Sequence, residues 1–159
     1  MRLVYVSHSA LVVLLVVILP ALFVAPQAVA SLGDNSNTVE GDRQTLNGVV
    51  QVTTQTSFSV HEITLPNGGS VKEYVSNQGT VFAITWRGRV HPDLHVLLGN
   101  YHSEFQTQDS QKPKVFGRGI RTVMGPNVVV EKFGHMRDVR GRAYLPSLLP
   151  SGVSVEDLQ

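Results

Sequence analysis

The six histidines of this 159-residue chain are its most obvious chemical groups, and His91, His95 and His102 are their one cluster. Imidazole titrates near neutral pH and is a common metal ligand. On a helix, His95 and His102 lie within about 20° of each other, but seven residues make two turns and roughly 10 Å of rise. Ligand nitrogens sit only about 2 Å from a zinc ion. The spacing therefore predicts polar positions flanking a helix stripe, not a shared ion. His91 precedes Pro92 and falls outside that helix, and His61 and His135 stand alone. His61 and Glu62 are adjacent, which on a strand sends them to opposite faces. The chain has no G-x-S-x-G elbow and no H-E-x-x-H pair. Gly117-Arg118-Gly119 lacks both phosphate-loop spacings and reads as a strand bulge. No catalytic set, metal or cofactor is expected.

Arginines offer a second chemistry. If Met136–Tyr144 is a strand, Arg140 and Arg142 share a face, with Asp138 beside them at the same period of two. Guanidinium matches sulfate, phosphate and carboxylate geometrically, so the row is a possible anion-binding site. The plainer reading, which the pattern favours, is a solvated face on which Asp138 compensates one arginine. The wider charge pattern poses the same choice. From Ser31 to Gln111 four basic residues face eight acidic ones, whereas Lys112–Arg142 carries a net +6. Such a basic third can attract an anionic partner; more simply, the two halves neutralise each other on folding. Trp86 beside Arg87 and Arg89 could stack on a sugar, but a tryptophan ending an apolar strand is usually core.

The elements that must position these residues are legible in outline. Val49–Thr56 and Phe58–Leu65 are rich in β-branched residues, Pro66–Gly69 and Asn77–Gly79 are turns, and Ser70–Val75 and Thr80–Trp86 complete four strands. Short strands joined by tight turns must pair antiparallel. The nearly unbroken apolar run of Thr80–Trp86 places it centrally. A long helix begins at Pro92 and ends near Gln108, with Leu94, Leu97, Leu98, Tyr101 and Phe105 as its apolar stripe. Val115–Met124, Val128–Phe133 and Met136–Tyr144 read as three further strands. Pro146 and Pro150 then impose an extended tail that packs its leucines. Before the sheet, Thr38–Leu46 reads as a short helix capped by Asn37 and Glu40, after a flexible Ser31–Asn37. The fold class is α+β: an antiparallel β-meander plus C-terminal strands, with one long amphipathic helix packed on the sheet.

Address comes from the other end. Arg2, an apolar run from Ala10 to Ala25 and the small residues Ala28 and Ala30 make the three parts of a secretory signal. Pro20 interrupts the run, which is short of the roughly 20 apolar residues of a spanning helix. Cleavage after Ala30 would leave a single domain of 129 of the 159 residues, from Ser31 to Gln159. There is no cysteine, which removes disulfides, lipid attachment and thiolate chemistry.

Several stretches together resemble a known family: Ala30-Ser31-Leu32-Gly33, the segment VHEITLPNGGSVKEYVSNQGTVFAITWRG, the PDLHVLLGNY helix and the ending GHMRDVRGRAYLPSLLPSGV. They are similar to small exported bacterial proteins grouped as domain of unknown function family 2844. The resemblance implies an exported address and a single-domain extent, and supplies no activity or site residue. The expectation is a periplasmic or secreted, non-catalytic binding or accessory module of the cell envelope. Its basic third would meet an anionic polysaccharide, lipid head groups or an acidic protein, with no nucleic acid and no membrane span after cleavage. The alternative is a small periplasmic hydrolase with dispersed catalytic residues.

Overall fold

β-Branched and aromatic side chains favour extended backbone and pack well on a pleated surface. Such residues dominate β1 (Val49–Thr54), β2 (Phe58–Thr64), β3 (Ser70–Ser76) and β4 (Val81–Gly88). The computed structural model describes residues 31–36, 41, 43, 44, 46–113 and 119–159. Three more strands follow in sequence, β5 (Arg121–Met124), β6 (Val129–His135) and β7 (Asp138–Tyr144). All seven form one antiparallel sheet in the order β1-β2-β3-β4-β7-β6-β5. The first four strands are the expected meander. The last three are a second meander laid down from the far edge inward, so that β7 arrives beside β4. Val81–Trp86 is buried throughout, and its central place agrees with its unbroken apolar pattern.

Between the two meanders lie 18 continuous helical residues: α1 (Leu94–Leu98), a 3-10 turn (Gly99–Tyr101) and α2 (His102–Gln111). The start and end shift from the expected Pro92 and Gln108. Asp93 is the N-cap, its carboxylate accepting from His95 N at 2.8 Å. The interruption at Gly99 is the larger difference. Its φ is +46°, a backbone region that only glycine enters cheaply. A Cβ there would collide with the Ser31 side chain.

That collision marks a second correction. Ser31–Ser36, expected to be flexible, is structured, and Leu32 is 1% exposed. Leu32 N–H donates to Leu97 O at 3.0 Å, Gly33 N–H donates to Val81 O at 2.8 Å, and Asn35 bridges to Thr80. One apolar side chain seated in the core outweighs the polar, turn-forming neighbours that suggested a loose end. The leader expected to end at Ala28 and Ala30 lies outside the described residues, as do Asn37 and Glu40, the expected capping residues. Of the short helix expected over Thr38–Leu46, residues 41, 43 and 44 are helical. Of the strand expected over Val115–Met124, only Arg121–Met124 forms; residues 114–118, including Gly117 and Arg118, are also outside the described residues.

Buried residues form two clusters. The larger joins Leu32, Ile63, Val71, Val75, Ile84, Trp86, Val123 and Val130 with Leu97, Leu98 and Phe105 of the helical segment. Leu94 and Tyr101 pack against its edge, so the predicted stripe is the buried one. Phe58, Tyr74, Phe82, Ala83 and Leu158 make the smaller cluster. A register shift at Tyr74/Val75 leaves Phe82 as an extra residue on β4. A bulge of this kind resets which side chains face which side, and it lets Phe82 and Ala83 both join the smaller cluster. The tail that closes this cluster is not simply extended. It turns through 3-10 segments at Pro146–Leu148 and Val155–Asp157, and Tyr74 Oη binds both the Gln159 N–H and carbonyl, at 2.9 and 2.7 Å.

Candidate functional site

Where the tail stops covering the sheet, a cleft of about 720 Å³ opens. Its floor follows from the period of two along each strand and the register between strands. One row across the sheet runs Glu62, Lys72, Thr85, Arg142, Glu131, each opposite the next. The adjacent row runs Ser70, Arg87, Arg140, Phe133. Glu156, Leu158 and Gln159 of the tail line the remaining wall. Four cations, Lys72, Arg87, Arg140 and Arg142, thus meet two carboxylates, Glu62 and Glu156, in one recess.

Arg87 lies directly opposite Arg140, a pairing that like charges make unfavourable. Asp138 resolves it by accepting from Arg140 Nε and Nη2 at 3.2 and 2.8 Å and from Arg87 Nε at 3.4 Å. The hydrogen bond from Arg140 leads the causes that hold the Asp138 carboxyl below the usual aspartate range; the charges of both arginines add to it, and burial opposes. Arg142 donates through Nε to Glu131 Oε2 and through Nη1 to Val155 O at 2.7 Å. It is thereby a brace between sheet and tail, with its side chain 23% exposed. The Arg87 and Arg140 side chains stay 64% and 41% exposed. Lys72 enters no ion pair among the described residues. Tyr144, on the same face of β7, has its phenol pKa pushed up by burial and then by Glu131.

The predicted pair Arg140 and Arg142 does share a face, and Asp138 does compensate one of them. The sequence reading did not join Lys72, Arg87, Glu62 or Glu131 to that pair. Their alternation along β2, β3, β4 and β6 was visible, but only the β4–β7 neighbourhood brings Glu62, Lys72 and Arg87 into one recess with Arg140 and Arg142, and sets Glu131 against Arg142. Trp86 is 3% exposed and belongs to the larger cluster, as expected of a core residue. Its Nε1–H donates to His91 Nδ1 at 3.0 Å.

The His95 and His102 rings meet edge to face, with centroids 5.0 Å apart at an interplanar angle of 72°. Among the described residues, no three or more of the His, Asp and Glu side chains gather closely enough to hold a metal ion. His61 and Glu62 diverge as expected: His61 meets Ser59 Oγ at 3.2 Å, while Glu62 faces the cleft. Burial lowers the His61 pKa. Among the described residues no helix is long and apolar enough to cross a membrane.

The fold and cleft define an α+β protein built on a seven-stranded antiparallel sheet with a mixed-charge recess on one face. The chain belongs to the family described as "Protein of unknown function (DUF2844)", whose model matches residues 28–158. No curated protein and no solved structure matches it.

Proposed function

We propose that this protein is an exported, non-catalytic binding module of the cell envelope whose cleft takes an acidic polysaccharide. In this reading the helical segment packs on the opposite face of the sheet and leaves the cleft face to the ligand. The observation that carries it is the set of Lys72, Arg87 and Arg140 at the mouth of the cleft, beside Glu62 and Glu156. Cations recognise the acid groups of such a polymer, carboxylates accept from its hydroxyls, and Phe133 offers a ring face. A concave recess of this kind suits a chain of sugars better than the flat surface of a bilayer. Export is supported by the secretory pattern of Arg2, the apolar run from Ala10 to Ala25 and the small residues Ala28 and Ala30.

The test is titration of the purified protein with polygalacturonate, with neutral dextran and anionic vesicles as comparators. Binding to polygalacturonate that weakens with salt, and about tenfold again in a Lys72→Gln, Arg87→Gln double variant, is the expected result. Equal binding to dextran, or binding to vesicles alone, would remove the polysaccharide reading. Arg142→Gln is a poor probe, because it frees Glu131 and the tail together.

A further inference from the structure

The two edges of the sheet are built differently. β5 is four residues long and opens with Arg121. Gly125 N–H donates to Val128 O at 2.8 Å, so by antiparallel alternation Thr122 and Met124 turn their backbone groups outward. Lys112 Nζ already occupies the outward Thr122 carbonyl at 2.5 Å. Charge, shortness and a lysine on the edge are the devices by which sheets prevent further pairing.

β1 has none of them. Its six residues, VVQVTT, carry no charge and no proline. Val49 is 74% and Val52 54% exposed. Gln55 N–H donates to Phe58 O at 2.8 Å, which makes 55 and 58 a hydrogen-bonded pair. The same alternation then turns Val49, Gln51 and Thr53 toward β2, and leaves the N–H and C=O of Val50, Val52 and Thr54 facing outward.

We propose that this edge is a two-fold interface joining two copies of the chain antiparallel through Val50, Val52 and Thr54. An antiparallel strand is complementary to itself. With Val52 opposite Val52 on the axis, Val50 of each copy meets Thr54 of the other, and three residue pairs exchange their backbone bonds. No charge in β1 opposes its own image, and the exposed Val52 side chains meet across the axis. A continuous sheet with this symmetry has its two-fold normal to the sheet plane, so both clefts open on the same side. Nine strand spacings of about 4.8 Å separate the two β7 strands in the order observed, roughly 43 Å before twist. The inference rests on β1 alone and stands whatever the cleft binds; if the cleft does take a polymer, pairing makes the grip bivalent.

Light scattering and hydrogen exchange on the purified protein test it. The mass should be twice that of one chain at high concentration and fall on dilution. Exchange at Val50, Val52 and Thr54 should slow about tenfold or more in the dimer, while Val49, Gln51 and Thr53, already bonded to β2, stay unchanged. Val52→Lys sets two ammonium groups across the axis and should give a folded monomer; Met124→Lys on the other edge should leave the dimer intact. A monomer at every concentration, or a dimer that survives Val52→Lys, overturns the proposal. Should Val52→Lys fail to fold, the wild-type exchange pattern decides: no concentration-dependent slowing at those three amides refutes the interface.

Discussion

The β5 edge and the β1 edge share backbone geometry and differ in what surrounds them. Four side chains from α2 and the residue after it hold the β5 side. Glu104 accepts from Asn127 N, Asn127 Nδ2 and Val128 N at 2.7, 3.0 and 3.2 Å, fastening the β5–β6 turn. Asp109 meets Arg121 at 2.7 Å and Lys132 at 3.8 Å. Phe105 carries Lys132 Nζ over its ring at 4.8 Å, and Lys112 covers the outer carbonyl of Thr122. β1 meets β2 and, through Val50, the margin of the core. The contrast answers the charge asymmetry of the sequence. Asp109 in the acidic part neutralises Arg121 and Lys132 in the basic part, and Asp138 returns the favour to Arg87. Charged side chains gather at the β5 edge, and β1 itself carries none.

The strongest way to break this contrast is to remove the ring at its centre. Phe105 is 6% exposed within the larger cluster. Phe105→Ala should cost about 3–5 kcal/mol, the range for deleting a buried phenyl group. The loss should be read by denaturant unfolding. Amides of β5 and β6 should lose protection before those of β2 and β3. Equal loss at β1 and β5 would show that the two edges are not secured independently.

Phe105 itself was legible, because a 3.6-residue period along Leu94–Phe105 can be read without a fold. The same holds for β2, β3 and β4, whose turns at Pro66–Gly69 and Asn77–Gly79 fix their bounds to within one or two residues. What failed to show was whatever depends on a distant partner. Position 99, where the helix breaks, has no room for a side chain because Ser31 lies against it, 68 positions away in sequence. Leu32 looked like part of a polar terminus because its core lies on α1 and β4. Arg140 and Asp138 could be paired on paper, two residues apart on one strand. Glu131 as the partner of Arg142, and Lys72 and Arg87 as its neighbours, required knowing that β7 lies between β4 and β6.

A smaller effect sharpens the contrast from the helix side. Glu104 loses solvent on folding, which pushes its pKa up, but the hydrogen bonds from Asn127 and Val128 outweigh this and hold it below the ordinary value of 4.5. A carboxyl depressed in the folded state stabilises above its unfolded pKa, and that contribution is lost as pH falls through the folded value. Glu104→Gln should therefore cost about 1 kcal/mol near neutral pH. The gap between the two proteins should narrow below the unfolded pKa. A difference in melting temperature independent of pH between 7 and about 3 would mean that Glu104 acts by shape and not by charge. Exchange at β1 should be unaffected in either case.

The least perturbing probe uses the single tryptophan. Trp86 Nε1–H donates to His91 Nδ1, so His91 must be neutral there, with its proton on Nε2. Partial burial, and then the charge of Lys132, hold the His91 pKa below its ordinary 6.5. The bond therefore contributes stability above that ordinary value and loses it as pH falls through the lower folded value. Trp86 fluorescence should show a transition with its midpoint below 6.5 that His91→Gln abolishes. Lys132 is partly neutralised by Asp109, so Asp109→Asn should push the midpoint lower still. Val52→Lys, at the opposite edge, should leave it in place. A midpoint indifferent to Asp109 would mean that the charges guarding β5 act only on each other, and that their field stops short of the central strand.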